Sequence, residues 1–550
     1  IDLSSLPNLT ILNCAVNQIN YLDLDNLSNL QDFDCTKNML TTLNVNNLSN
    51  LVYLKCPENL LTTVDLNGLS NLLIIDLRFN KLGSIFIKNG VRDIKENGID
   101  YYYLHFSDNP NLKYVCTDEE DIDEIKSRIN SYRYTNCNVN TYCSFLPGGI
   151  YYTIQGKNKF DNDNNGCNGS DSIISNLYLK ETNLNGDIIG SYISNSSGNY
   201  SIPVQAGTHT ITPILENLNY FSISPTNTIV TFPTQTSPFT QDFCITANGI
   251  HPDLEVATLP TTRARAGFDA SYKIIYKNKG TNSQSGSVNL TFNDAVLDLV
   301  SANPAVSNQT VNNLSWDFTN LNPFETREII VTVNINGPME TPAVNGGDIF
   351  DFKATVTSTL TDETPTDNIF TLNQTVVNAF DPNDKTCLEG ATIPPSAVGK
   401  YVHYMIRFEN KGTAEAQNVV VKDMIDTSKF DISSLVVTQG SHPFITRITE
   451  TNKVEFIYEN INLPFDDATN DGYVAFKIKT KPSLVLGDSF SNTASIYFDY
   501  NFPIVTNTAT TSVLQNLGNQ DFIFDSYFRT YPNPVKDVLN IDVKKQIELT

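Results

Sequence analysis

The sequence has one tryptophan, four methionines and five histidines in 550 residues, and each scarcity removes a class of chemistry. His105, His209, His251, His403 and His442 fall one per region, too scattered to pair with a nucleophile. No HExxH, GxSxG, GxGxxG or phosphate-loop motif occurs. The chain therefore reads as a non-enzyme. Glycosidase carboxylates leave no local signature among so many Asp and Glu, so a secreted hydrolase stays as an alternative. Trp316 alone cannot line an aromatic sugar cleft. Basic side chains are few, 36 against 60 acidic, for a net charge of -24. Such a surface repels phosphate backbones, which excludes nucleic acid as a partner, and attracts divalent cations. No apolar run reaches the roughly 18 residues of a membrane span. CxxC pairs are missing, which excludes structural zinc. No leader is visible, since "IDLSSLPNLTIL" already lies inside a repeat. The expectation is either that a leader has been removed along with more residues or that the sequence is a fragment, and the pattern still running at Thr550 suggests the same for the other end.

What is present is a period. "LTILNCAVNQINYLDL", "LQDFDCTKNMLTTLNV", "LVYLKCPENLLTTVDL" and "LLIIDLRFNKLGSIFI" superimpose, with Leu9, Leu30, Leu51 and Leu72 stepping by 21 and Asn17, Asn38, Asn59 and Asn80 in phase. No unit of that size buries its own apolar face, so the units must stack, with the asparagines satisfying backbone groups as a ladder. This is the leucine-rich repeat pattern, and it predicts a solenoid over 1–143, with "YYYLHFSDN" as a fifth unit. A helical cap is expected in "CTDEEDIDEIKSRIN", with Ile122, Ile125 and Ile129 on one stripe and Thr117 and Glu120 as a capping box. Cys116 and Cys137 flank that helix and are expected to be bonded. Cys14, Cys35 and Cys56 follow the repeat and read as small buried hydrophobes. Residues between the rungs point outward. They form columns of Ile11, Asp32, Tyr53 and Ile74, of Asn13, Asp34, Lys55 and Asp76, and of Ala15, Thr36, Pro57 and Arg78. This mixture suits a protein or glycan ligand.

From residue 144 the texture changes to short alternating strands between Gly, Asn and Pro, which predicts a mainly β multidomain protein. A first β-sandwich is expected over 144–248. Two related immunoglobulin-like sandwiches follow over 249–378 and 379–513, because "ASYKIIYKNKGT" matches "VHYMIRFENKGT" and "GDIFDFKATVTS" matches "GDSFSNTASIYF". "AFDPNDKTCLEG" marks their junction. A linker covers 514–526. Outside the repeat six cysteines remain, an even number that suits disulfides in an oxidising compartment. In an up-and-down count, the loop after the first strand of 144–248 and the end of its last strand share a pole, which would pair Cys167 with Cys244. That loop, "FDNDNNGCNGSD", alternates Asp161, Asp163 and Asn165 before Gly166, as oxygen ligands wrap a calcium ion. The Cys167 carbonyl and Asp171 would complete the set, although Ser172 stands where an EF-hand has its glutamate. The region resembles the calcium-binding B repeats of bacterial surface adhesins, where the ion is structural.

The stretch "TYPNPVKDVLNIDVKK" opens a last strand pattern over 527–550. With Tyr531, Pro532, Asn533, Pro534, Leu539 and Ile541, it resembles the start of the type A C-terminal sorting domain of Bacteroidetes type 9 secretion substrates. The whole layout is similar to leucine-rich repeat surface proteins of that group. The resemblance implies recognition by an outer-membrane shuttle protein and the type 9 translocon, then residence at the outer face of the outer membrane. Substrates of that route include adhesins, gliding-motility proteins and hydrolases, and with the repeat face the expected function is surface binding and adhesion, with gliding motility as one setting. An accessory component or client docked on the translocon is the alternative within the same class.

Overall fold

The computed structural model describes residues 3–543 except 4, 92–94, 97–98, 101–102, 378–381, 468, 516–527 and 532–539. Its N-terminal region is a stack of short parallel strands. Ile11–Asn13, Asp32–Asp34, Tyr53–Lys55, Ile74–Asp76 and Tyr103–His105 form one five-stranded sheet, with Ile11, Asp32, Tyr53 and Ile74 in register. The middle residue of each strand turns inward, and Phe33, Leu54 and Ile75 are fully buried beside the rungs Leu30, Leu51 and Leu72. What fixes the register is the asparagine ladder. Asn59 Nδ2 donates to the Cys35 carbonyl one coil back, at 3.0 Å, and its Oδ1 accepts from the Leu40 N–H, also at 3.0 Å. Asn38, Asn80 and Asn109 repeat this bridge. The residue before each ladder asparagine, Val16, Lys37, Glu58, Phe79 and Asp108, is held in the left-handed region at φ 54–58°. Side chains with a Cβ avoid that region unless the surroundings impose it.

The described residues are almost entirely β, with 45% strand and 3% helix, so the expected leucine-rich repeat solenoid with a helical cap is corrected. The far side of the stack carries no helix per unit. It is a second parallel sheet of Thr63–Asp65, Ser84–Ile87, Tyr114–Thr117 and Asn138–Asn140. The one α-helix among the described residues, Ile122–Ser131, lies between the last two of these strands in sequence, and they pair with each other, so the sheet runs on past it. The capping box does not form either: a 3-10 turn, Glu119–Asp121, intervenes and Asp121 is the N-cap. A distant loop packs against the outer face of this second sheet. Tyr500 stacks on Tyr114 with ring centroids 4.7 Å apart, and Asn138 Nδ2 donates to the Tyr500 and Asn501 carbonyls. Leucine spacing fixes an apolar interior but does not say what closes it.

The remaining regions are also not three independent sandwiches. Strand Ile188–Ile193 pairs antiparallel with Ile445–Thr449, which lies some 250 residues on, through Ser191↔Ile448, Tyr192↔Arg447 and Ile193↔Thr446. One nine-stranded sheet therefore runs from Thr228–Phe232 through both regions to Ile504–Val505. Between them in sequence, a four-stranded and a five-stranded sheet over 254–375 enclose Tyr272, Val288, Trp316 and Phe352, and that core continues into Leu388, Met405 and Ala475.

Charges seal the junction. Lys477 donates to Glu216 (2.9 Å) and to Glu255 (2.6 Å), so one ammonium joins three regions. Burial pushes the Glu255 carboxyl up, but Lys477 and Lys279 beside it overcome this and hold it at about 2. Nearby, Arg407 donates bidentately to Asp384 and to the Pro260 carbonyl, tying the "DPNDK" segment to the preceding region.

Two variants test these constraints. Asn59→Ala leaves the buried Leu40 N–H without a partner and takes one of two amide donors from the Cys35 carbonyl, and should cost about 1–3 kcal/mol. Asn50→Ala removes only the exposed bond to Ser28 and should cost well under about 1 kcal/mol; denaturant titration of both would show equal costs if the ladder were unimportant. Lys477→Ala leaves two carboxylates facing each other and should cost about 3–5 kcal/mol. It should also split one unfolding transition into two in calorimetry.

Candidate functional site

The outer face of the first parallel sheet carries the expected columns. Ile11, Asp32, Tyr53 and Ile74 lie in register across adjacent strands, as do Asn13, Asp34, Lys55 and Asp76, with His105 added by the fifth strand. Adjacent strands lie about 4.8 Å apart, so each column is a straight row. Ile11, on the edge strand, is 64% exposed and Tyr53, on the middle one, 38%, leaving apolar surface within a polar face. The acids are less open than alternation suggests. Asp34 accepts from the Thr36 hydroxyl at 2.6 Å, and Asp76, only 8% exposed, is clamped by Arg78 through Nε at 2.9 Å and a terminal nitrogen at 2.6 Å. These acids hold their neighbours rather than project. His105 stacks on Tyr132, and burial and then Arg78 lower its pKa, which keeps the imidazole neutral at physiological pH. It was missed in the sequence because an insertion breaks the 21-residue step before its strand. Phe79, 52% exposed, extends the apolar surface along the left-handed turns.

The acidic loop brings Asp161, Asp163 and Asp171 together, with one oxygen of each within 4.8 Å of the others. Asp161 and Asp171 are buried and Asp163 is exposed. Main-chain donors shape the trio: Asn165 N and Gly166 N bond Asp161 at 3.1 and 2.9 Å, and Asn162 N and Asn168 N bond Asp171 at 3.1 and 2.7 Å. Gly166, at φ +95°, provides the turn. Asn165 is not aimed as the alternation suggests: its Nδ2 donates to Asp163 and its Oδ1 accepts from Asn168. Three hard carboxylates in a glycine turn fit a calcium ion. Asp253, Asp362 and Asp367 form a second such trio, but Lys279 bonds Asp367 and lies 3.5 Å from Asp253, supplying the charge from within.

Cys167 is bonded to Cys244, with Cα atoms 5.6 Å apart, and the strands Tyr152–Phe160 and Phe243–Ala247 run parallel beside the acidic loop. The expected Cys116–Cys137 bond is corrected to Cys116–Cys143, with Cα atoms 6.0 Å apart. The register gives the reason. Cys116 lies opposite Asn140, three residues beyond Cys137, about 10 Å along a strand and out of disulfide reach. Burial pushes the free Cys137 thiol up to about 12. Cys387 is also unbonded. In the tail, Phe528–Tyr531 pairs antiparallel with Asn540–Val543, so Tyr531 lies opposite Asn540 and Ile541 opposite Thr530. Pro532, Asn533, Pro534 and Leu539 lie outside the described residues.

Residues 381–512 match a family model described as a domain of unknown function, DUF7619. No curated protein matches the chain. Among solved structures, the chain is similar to BcpA, the major pilin subunit of Bacillus cereus, at 10% identity over 67% of this chain and 97% of that one, with a TM-score of 0.17. The collagen adhesin CNA from S. aureus is similar at 14% identity, over 48% of this chain and 93% of that one, with a TM-score of 0.18. A DUF3823 family protein from Bacteroides ovatus is similar at 12% identity, over 42% and 99%, with a TM-score of 0.17. Scores this low establish no common activity.

Proposed function

We propose that the chain is a non-enzymatic adhesion protein of a bacterial cell surface that binds a protein or glycan with the outer face of its parallel stack. One observation carries this reading. The face presents Ile11, Tyr53 and Phe79 to solvent over strands whose register the asparagine ladder fixes. Exposed aromatic and apolar groups on a rigid backbone bind at low entropic cost. Two disulfides, Cys116–Cys143 and Cys167–Cys244, support residence in an oxidising, extracellular setting. Among the described residues, no helix is long and apolar enough to cross a membrane.

The export route in this proposal is the type 9 translocon with its outer-membrane shuttle protein, addressed by the tail from Tyr531 to Ile541. Support for it is the motif itself. Calcium belongs to the same proposal. Asp161, Asp163 and Asp171 would hold the ion, which would neutralise their mutual repulsion and stiffen the loop beside the Cys167–Cys244 bond.

Tyr53→Ala with Ile74→Asp should reduce binding of the purified chain to its ligand by tenfold or more, read on glycan and surface-protein arrays. A full signal from the double variant with a native circular-dichroism spectrum would move the site elsewhere. For calcium, titration calorimetry should record one site, and a hundredfold excess over Kd should stabilise the chain by about 3 kcal/mol. The variant D161N/D171N should lose both signals; an unchanged melting temperature in wild type on calcium addition would reduce the loop to an ordinary turn.

A further inference from the structure

Three polar side chains from three different sheets meet where no water reaches. Lys385, on strand Asp384–Cys387, and Asp423, on Val419–Met424, form an ion pair with both side chains 0% exposed. Asn492, on Ser489–Asn492 and also buried, donates its Nδ2 to the same Asp423 oxygen at 3.2 Å. Two groups bonded to one oxygen stand within about 6 Å of each other. The Lys385 ammonium lies 4.9 Å from the Tyr404 ring centre and 5.5 Å from that of Phe476. The other Asp423 oxygen is buried with no hydrogen-bond partner.

The related region over 254–375 shows that the fold does not need this trio. Lys385 pairs with Ile406 as Thr258 pairs with Ile274. Asp423 pairs with Ala494 and Val454 as Leu290 pairs with Ala354 and Leu314. In the matched segments "GDSFSNTASIYF" and "GDIFDFKATVTS", Asn492 falls on Phe352. Thr258, Leu290 and Phe352 are all buried, so the sister core fills the three places without charge. A buried ion pair is often no more stabilising than the apolar packing that could replace it. Its retention here calls for a reason other than stability.

We infer that Lys385 and Asn492 join in a covalent isopeptide bond, formed without a cofactor and assisted by Asp423. Burial lowers the Lys385 pKa and raises that of Asp423, so the pair exchanges a proton easily and leaves a free amine beside a neutral carboxyl. The amide can turn about its terminal bond, placing its oxygen at the carboxyl proton, which polarises Cγ. Lys385 Nζ attacks Cγ of Asn492, the Nζ–Cγ bond forms and the Cγ–Nδ2 bond breaks. Asp423 takes one proton from the amine and gives one to Nδ2, ends protonated as it began, and ammonia leaves. No oxidant or co-reactant is consumed. The dry aromatic walls keep water from competing for Cγ.

The decisive measurement is the intact mass of the denatured, purified full chain, followed by peptide mapping. The expected result is a chain lighter by one ammonia and a branched peptide linking Lys385 to Asn492. The variant D423N, shown folded by circular dichroism, should have its full sequence mass, and so should N492A. A wild-type chain at full sequence mass overturns the inference, as does a mass loss that persists in N492A.

Discussion

Lys477 stands where three regions of the chain meet, and the architecture depends on the charge it places there. Glu216 and Glu255 approach it from two different regions, and Lys279 with Asp253 and Asp367 extends the cluster outward. Each of these charges has been taken from water at a cost of several kcal/mol that only close pairing returns. The cluster therefore tolerates one relative placement of the regions and penalises all others. Apolar burial is non-directional and does not by itself select one register between the regions. The sheet continuing across Ile188–Ile193 and Ile445–Thr449 adds directional hydrogen bonds to the same end. Together they make a fused body rather than beads on a stalk.

That body also receives the parallel stack. Tyr142 donates to Glu455 at 2.8 Å across the boundary, and Glu455 is held on its other side by Arg447. Burial pushes the Glu455 carboxyl up, yet Arg447 and Lys453 bring it below its ordinary value, so it stays an acceptor for the tyrosine. With Tyr500 stacked on Tyr114, this anchors the coil nearest the body. The ladder transmits the order outward, coil by coil, to Tyr53 and Ile11. A ligand meeting the face would then lose little of its binding energy to ordering the protein.

How much of this could be read from residues alone depends on the range of the interaction. The 21-residue step dictated the register of Ile11, Asp32, Tyr53 and Ile74, because identical units can bury an apolar face only by stacking in phase. The asparagines were legible for the same reason. What covered the far side was not, since Val64 and Ile85 serve a short strand as well as they would serve a helix. Flanking the same helix makes Cys137 the natural partner of Cys116 in sequence, whereas strand register places Cys137 about 10 Å away and brings Cys143 back. The shared nine-stranded sheet left no local mark at all: "IIGSYI" and "ITRIT" each alternate as any edge strand would, and pairing between edges is chosen by the assembled surfaces. Asp161, Asp163 and Asp171 were legible as a turn with ligand chemistry. The turning of Asn165 toward Asp163 was not, because an amide follows the hydrogen bonds around it.

Mechanical strength is most needed where load enters the fold. In the proposed role, a chain held by its tail and pulled at its face would take load along the segment after Val513. The last strand before the tail, Ala509–Val513, pairs antiparallel with Ser489–Asn492 and parallel with Thr392–Ile393, in a sheet of only three strands. Its two partner strands are only four and two residues long, so few hydrogen bonds share a load there. Noncovalent packing at that end would set the strength of the whole chain. A covalent tie from Asn492 to Lys385 would pass the load from the three-stranded sheet into the strand Asp384–Cys387. That strand is bound to Tyr401–Glu409 and, through Asp384, to Arg407 and Arg263. The load would then spread into the fused body, which no single strand can leave alone. It would also close a loop of roughly a hundred residues and so remove entropy from the unfolded chain. The sister region, through which no terminal load passes in this arrangement, has Thr258, Leu290 and Phe352 at the same places, and apolar packing is sufficient for it.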